Sequence, residues 1–170
     1  QHLGYDSDGQ HRDGRHLVFV GDLCDRGPDS PGVIELVQRL CSAGQAQCVL
    51  GNHELSVLRG AAKPGNGWFF ADNHDHRNGK FLHGRGASAD QREQFPQFLA
   101  GLPLALSRDD LRVVHAAWHP ASLMALAADA GSQPLTDIYR EYGRRSEQWA
   151  QESALKHAAG NEYRLWHAQL

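Results

Sequence analysis

Six residues of this chain have types and spacings suited to chemistry on an anion: Asp22, Asp25, Arg26, Asn52, His53 and His115. Carboxylate oxygen, amide oxygen and imidazole nitrogen bind hard or borderline divalent metals. A mixed set of them favours Mn, Fe, Zn or Mg over a thiolate-bound structural zinc. Asp22 has two oxygens and is able to bridge two ions. The Arg26 guanidinium is a planar fork that matches phosphate better than an ammonium does. Taken singly, each residue also has an ordinary structural reading: Asp22 and Asn52 in turns, His115 as a satisfied structural histidine. Their shared placement, just past the ends of three predicted strands, is what favours the chemical reading.

The elements that must position them follow from apolar patterning. Leu17 to Val20 is a continuous apolar run of strand length, expected to be buried on both faces. It stops at Gly21 and enters the polar loop Asp22 to Ser30. Ser30-Pro31 predicts a helix start, Val33, Val37, Leu40 and Cys41 its apolar face, and Gly44 its end. Cys48 to Leu50 is a second short strand, followed by Gly51-Asn52-His53-Glu54 and a helix to about Arg59. Strand, helix, strand in this order is a βαβ unit, so both loops lie at the carboxyl edge of a parallel sheet, where α/β proteins bind ligands. Residues 60–87 read as a long irregular connection, a lid or an insertion. Ser88 with Gln91 forms a capping box for a helix burying Phe95, Phe98, Leu99 and Leu102, with Pro96 inside it. Leu104 to Val114 reads as a β-hairpin leading into His115, and the rest as helices broken near Gly131 to Pro134.

Gly21-Asp22-Leu23-Cys24-Asp25-Arg26-Gly27, then Gly51-Asn52-His53-Glu54 thirty positions on, then Val113-Val114-His115-Ala116-Ala117, resemble three blocks of the calcineurin-like metallophosphoesterases. More narrowly they resemble the phosphoprotein phosphatase branch, which includes bacterial serine/threonine phosphatases and symmetrical dinucleoside tetraphosphatases. The resemblance runs in order from about Leu17 to His119 and implies an α/β fold of the metallophosphoesterase type: a sheet sandwich flanked by helices, incomplete at both ends. It implies that Asp22 bridges two divalent ions of the Mn, Fe, Zn or Ni type, with Asn52 and His115 on the second. His53 would be the acid that protonates the leaving oxygen, oriented by Asp25, while Arg26, with Asn52, would hold the phosphate. Two ions roughly 3.5–4 Å apart acidify a bridging water and neutralise charge in an in-line attack.

Two blocks of the family are without a match. The Asp-x-His block on its first strand would lie upstream of Leu3, and its last metal-binding histidine has no counterpart before Leu170. Asp72-Asn73-His74 spells Asp-x-His, but it follows the second block, and no predicted strand leads into it. The family's His-Ala-Gly reads His115-Ala116-Ala117. Gln1 opens the chain without a signal-peptide pattern, so the 170 residues are read as one partial domain cut from something longer and expected to be inactive by itself. Other histidines have plainer readings: His83 to Gly86 as a turn, and His119-Pro120 as a helix start or a cleft residue.

Composition narrows the classes. With 41% hydrophobic and 22% charged residues the chain is globular, not disordered. A net charge of −3 argues against bulk nucleic-acid binding, and no apolar run is long enough to span a membrane. Cys24, Cys41 and Cys48 are an odd number without CxxC, which fits a reducing, cytoplasmic setting; Cys24 is expected to pack, not to bind metal. Histidine occurs 11 times, ample material for metal and acid–base chemistry. The first functional reading is metal-dependent hydrolysis of a phosphomonoester or phosphoprotein. The alternatives are a dinucleoside-polyphosphate or nucleotide hydrolase, and a non-catalytic binding homologue.

Overall fold

The strand that leads into the first polar loop is β1, Leu17–Phe19, and it pairs in parallel with β2, Ala46–Cys48, in the register Leu17↔Ala46 to Phe19↔Cys48. A computed structural model gives these positions and describes residues 3–70, 84–129 and 133–152. Contacts divide the chain into two compact units, Gln1–His115 and Ala116–Leu170.

In the first unit the crossover between the parallel strands is α1, Ser30–Ser42. Its cap is Asp29, one residue before the expected Ser30, because the Asp29 side chain accepts the Gly32 N–H at 2.9 Å. The buried stripe is Ile34, Val37 and Leu40, not one that includes Val33, which is 41% exposed. The stripe keeps the expected Val37 and Leu40 and has Ile34 in place of Val33. β2 begins two residues earlier than the patterning indicates. Val49 and Leu50 follow it fully buried, with the Val49 N–H on the Phe19 carbonyl at 3.0 Å and the Leu50 N–H on the Pro103 carbonyl at 2.9 Å.

β1 itself is not buried on both faces. Leu17 and Phe19 are half-buried, Val18 is 37% exposed, and β2 is its sole partner strand among the described residues.

Helix α2, Asn52–Leu58, starts directly after Gly51, and α3, Gly67–Phe70, is a single turn within the stretch read as an irregular connection. The capping box at Ser88 is formed: Ser88 Oγ accepts the Gln91 N–H and Gln91 Oε1 accepts the Ser88 N–H. It opens α4, Ala89–Ala100, which buries Phe95 and Leu99. These side chains, with Ile34 and Val37 of α1, Val49, and Leu55 and Val57 of α2, make the core. The hairpin forms as β3, Ala105–Arg108, antiparallel to β4, Leu111–Val114, and it delivers His115. The result is a mixed α/β unit whose sheets are small, two strands each among the described residues.

The second unit holds α5, Pro120–Asp129, and α6, Leu135–Glu152, tied by the Tyr142 hydroxyl donating to Asp129 at 3.1 Å. His119 starts α5 as a cap: its Nδ1 accepts the Ser122 N–H, and its carbonyl accepts the Leu123 N–H.

Candidate metal and acid–base site

Two loops leave the carboxyl ends of β1 and β2 side by side, and their contact depends on glycine. Gly21 has φ +85°, and a Cβ there would lie 2.6 Å from the Gly51 Cα. Beyond it, Asp22, Asp25 and Arg26 adopt φ of 52°, 69° and 59°, the left-handed region that costs a residue with a Cβ about 1–3 kcal/mol. Such a loop persists only where its surroundings over-determine it, and Glu54 does so. This carboxylate is wholly buried. Its Oε2 accepts the N–H groups of Asp22 (2.9 Å) and Gly51 (3.0 Å), and its Oε1 accepts the N–H of Leu23 (2.7 Å) and the Cys24 thiol (3.2 Å). Ser30 Oγ accepts the Asp25 N–H at 3.0 Å. The Cys24 thiol is pushed well up, first by burial and then by the charges of Glu54 and Asp25, so it serves as a neutral donor. Burial pushes Cys48 up to about 12. Both cysteines pack, as expected of Cys24.

Three side-chain atoms from three segments meet at the mouth of these loops. His115 Nε2 lies 2.9 Å from Asn52 Oδ1 and 3.3 Å from Asp22 Oδ1. His115 Nδ1 donates to the Val20 carbonyl at 2.7 Å, which leaves Nε2 of the neutral ring with a lone pair. Three lone-pair atoms then face one another, an arrangement that is repulsive without a positive charge among them. Carboxylate, amide oxygen and imidazole, with the ring's other nitrogen fixed by a carbonyl, form a donor set that fits a divalent cation. Among the described residues no three His, Cys, Asp or Glu side chains make such a group, and the amide of Asn52 completes this one.

Beside the donors stands a histidine–carboxylate pair. His53 Nδ1 donates to Asp25 Oδ2 at 2.6 Å, which leaves its Nε2 3.8 Å from Asp22 Oδ2. The Asp25 carboxylate is 1% exposed. Its other oxygen accepts Trp68 Nε1–H at 2.7 Å, and Lys63 Nζ lies 3.7 Å from Oδ2. Arg26 is exposed at the rim of the loop.

Asp22, Asn52 and His115 are thus together, and His53 and Asp25 are paired next to them. Arg85, expected in a turn, lies in a stretch, residues 84–88, that has neither turn nor regular structure. Its N–H bonds the Pro28 carbonyl, and its side chain pairs with Asp29 and Glu35. Asp72, His74, His76 and His83 lie outside the described residues. Three participants were not singled out from sequence. Glu54 stands in the sequence as a helix start and as the end of the Gly51-Asn52-His53-Glu54 block, and its place three residues after Gly51 is a capping-box signal. Lys63 and Trp68 flank Pro64-Gly65-Asn66, a turn signal, but no local pattern aims them at Asp25.

Fold and site together define a class: an α/β chain whose oxygen and nitrogen donors gather at the carboxyl ends of parallel strands, beside a buried histidine–carboxylate pair. The model of the calcineurin-like phosphoesterase family matches residues 8–167, and the chain belongs to that family. It is 32% identical over 145 residues to the symmetrical bis(5'-nucleosyl)-tetraphosphatase of Janthinobacterium sp. (strain Marseille), covering 78% of this chain and 47% of that protein. Over 46 residues it is 54% identical to the enzyme of the same name from Ralstonia nicotianae, covering 27% of this chain and 16% of that one. Over 44 residues it is 52% identical to the asymmetrical bis(5'-nucleosyl)-tetraphosphatase PrpE of Oceanobacillus iheyensis, covering 26% and 18%. The chain spans about half the length, or less, of these curated relatives.

Proposed function

We propose that this chain carries the acid and one metal-binding face of a hydrolase acting on phosphate esters or anhydrides. The observation that supports this most is the meeting of Asp22, Asn52 and His115 lone pairs within 2.9–3.3 Å beside the His53–Asp25 pair. Asp22, Asn52 and His115 would hold a divalent ion, with Mn²⁺ one choice and Asp22 the ligand shared with a second ion. When bound, such ions withdraw charge from a phosphate and make water acidic enough to attack near neutral pH.

The remaining work belongs to the protein. Asp25 accepts from His53 Nδ1, so the proton available for transfer is the one on Nε2, the nitrogen facing Asp22. His53 gives that proton to the departing oxygen and thereby avoids expelling a strongly basic alkoxide or phosphate anion. Arg26 sits at the rim with two N–H groups able to reach phosphate oxygens in parallel. Glu54 keeps the loop, and these groups with it, in place before substrate arrives, so little ordering is left for the reaction itself.

Substrate choice favours a nucleotide. The relatives above are tetraphosphatases of dinucleosides, which supports a dinucleoside polyphosphate and gives no support to a phosphoprotein. No helix among the described residues is long and apolar enough to cross a membrane. Three unpaired thiols support a reducing compartment such as the cytoplasm.

The test pairs binding with turnover. Calorimetric titration of Mn²⁺ is expected to show binding by the chain that Asp22→Asn abolishes, since a neutral amide is a poor ligand for a shared cation. In a form of the protein that turns over with Mn²⁺, diadenosine tetraphosphate is expected to be hydrolysed in preference to 4-nitrophenyl phosphate, and a chelator to stop both reactions. Equal Mn²⁺ binding by Asp22→Asn would sink the assignment of the donor set.

A further inference from the structure

The segment between α2 and α3 is built as a unit and ends on the buried carboxylate. Lys63-Pro64-Gly65-Asn66 is a tight turn: the Asn66 N–H reaches the Lys63 carbonyl at 3.2 Å, and Gly65 has φ 101°. Asn66 is 1% exposed, and both ends of its amide are bonded. Its Oδ1 accepts the Lys63 N–H and its Nδ2 donates to the Ala61 carbonyl, both at 2.9 Å. This turn starts α3, whose second residue is Trp68. The Trp68 carbonyl is itself held by the Ala87 N–H at 2.8 Å. A segment this constrained delivers Trp68 Nε1–H to Asp25 Oδ1 at 2.7 Å and the Lys63 ammonium to 3.7 Å from Oδ2.

We propose that Trp68 is a positioning residue for the His53 acid, acting through Asp25, with Lys63 supplying the counter-charge. The proposal rests on the reading of His53 as a proton donor. Asp25 has two oxygens and two N–H donors, one on each: Trp68 on Oδ1, His53 on Oδ2. One donor alone lets a carboxylate rotate about its own axis and exchange oxygens. Two donors in fixed directions lock that rotation, and the imidazole then has one orientation, with Nε2 turned to the side of Asp22. An indole is suited to this work because it donates a single hydrogen bond from a rigid, apolar body that also excludes water from the carboxylate. Lys63 offsets the cost of keeping a carboxylate 1% exposed. The stretch that reads as an irregular connection in sequence thereby becomes part of the acid machinery.

The substitution that separates bonding from packing is Trp68→Phe, which keeps an aromatic ring and removes the N–H. It is read in two ways. In the metal-free protein, nitrogen-15 spectra of the histidine rings are expected to show a sharp, solvent-protected His53 Nδ1–H in the wild type, assigned by its loss in His53→Asn, and a broadened or absent one in Trp68→Phe. In turnover with Mn²⁺, Trp68→Phe is expected to lower kcat on phenyl phosphate about tenfold, at the low end of what outer-sphere partners contribute. The loss on 4-nitrophenyl phosphate, whose leaving group needs little protonation, should be much smaller, with KM unchanged for both. A His53 signal and a leaving-group ratio both unchanged by Trp68→Phe would overturn the proposal and leave Trp68 as packing. If the wild type hydrolyses neither ester, as expected of these 170 residues by themselves, the reading of function is tested by Mn²⁺ binding instead, and the ring spectra alone decide whether Trp68 orients His53 through Asp25. Should Trp68→Phe not fold, the wild-type indole decides, assigned by replacing Trp118, Trp149 and Trp166 in turn. A downfield, slowly exchanging Trp68 Nε1–H upholds the bond to Asp25, and a freely exchanging one overturns it.

Discussion

His53, in the first turn of α2, and His115, directly after β4, are both histidines of the site, yet their hydrogen bonds give them opposite capacities. His115 gives its Nδ1–H to the Val20 carbonyl and turns a lone pair toward Asn52 and Asp22, the state of a ligand. His53 gives its Nδ1–H to a carboxylate, Asp25, and turns Nε2 to the side of Asp22, the geometry of an aimed proton donor. The partner of the far nitrogen, a neutral carbonyl in one case and a carboxylate in the other, separates the roles. On this basis His53→Asn is expected to leave Mn²⁺ binding intact, because none of the three donors is removed. It is expected to lower kcat by roughly 10²–10⁴, the usual contribution of a general acid. The loss should shrink as the leaving group becomes more acidic, from phenyl to nitrophenyl phosphate. A uniform loss across leaving groups, or loss of Mn²⁺ in calorimetry, would make His53 a ligand or a structural residue instead.

At the scale of elements, the loop after β1 and the start of α2 are one structure, because a single buried side chain, Glu54, ties them. It accepts from Asp22, Leu23 and Gly51 backbone N–H groups at 2.7–3.0 Å. Glu54→Gln keeps the shape, but it replaces one acceptor oxygen with an NH₂ that faces N–H donors. Leaving buried donors unsatisfied costs about 1–3 kcal/mol, and the left-handed φ at Asp22 adds to the tendency of the loop to relax. The expected result is a lower midpoint in urea together with weaker Mn²⁺ binding. An unchanged midpoint would show that the loop holds itself. Much of this layout was legible in the sequence. The apolar runs, the proline after a capping position and the Ser88–Gln91 box are local signals, and the strands and helices they imply are present. The two acidic and histidine-bearing loops fall at one sheet edge for the same reason. Less legible were contacts across long separations. Glu54 reaches back 31 and 32 positions and Trp68 reaches back 43, so no spacing rule announces either. Patterning finds Val37 and Leu40 on the buried face of α1 but does not separate Val33 from Ile34, which are equally apolar; packing against the core, not composition, selects Ile34.

At the scale of the whole molecule, every residue assigned to the site belongs to the first compact unit, Gln1–His115, and that unit presents one conspicuous surface. β1 is hydrogen-bonded to β2 on one side, and no other strand among the described residues pairs with it. Val18 is 37% exposed and Val20, just past the end of β1, is 54% exposed, so this edge presents apolar side chains to solvent. A row of unpaired N–H and C=O groups with apolar neighbours is a template for pairing with another chain, and natural edges are commonly blunted by lysine. The 170-residue chain is therefore expected to self-associate as its concentration rises. Val18→Lys places a charge in the middle of β1, at a position already exposed to solvent, while Leu17 and Phe19, the half-buried positions, are untouched. Pairing two such strands would bring like charges together, which opposes association without disturbing β1 against β2. Sedimentation velocity over a concentration series measures this directly, with far-ultraviolet circular dichroism as the check that the fold is retained. Wild type should show a weight-average sedimentation coefficient that climbs with concentration, and Val18→Lys one that stays flat at the monomer value. Equal climbing in both would place self-association on a surface other than the β1 edge, and a wild type that stays monomeric throughout would show that this edge is already protected.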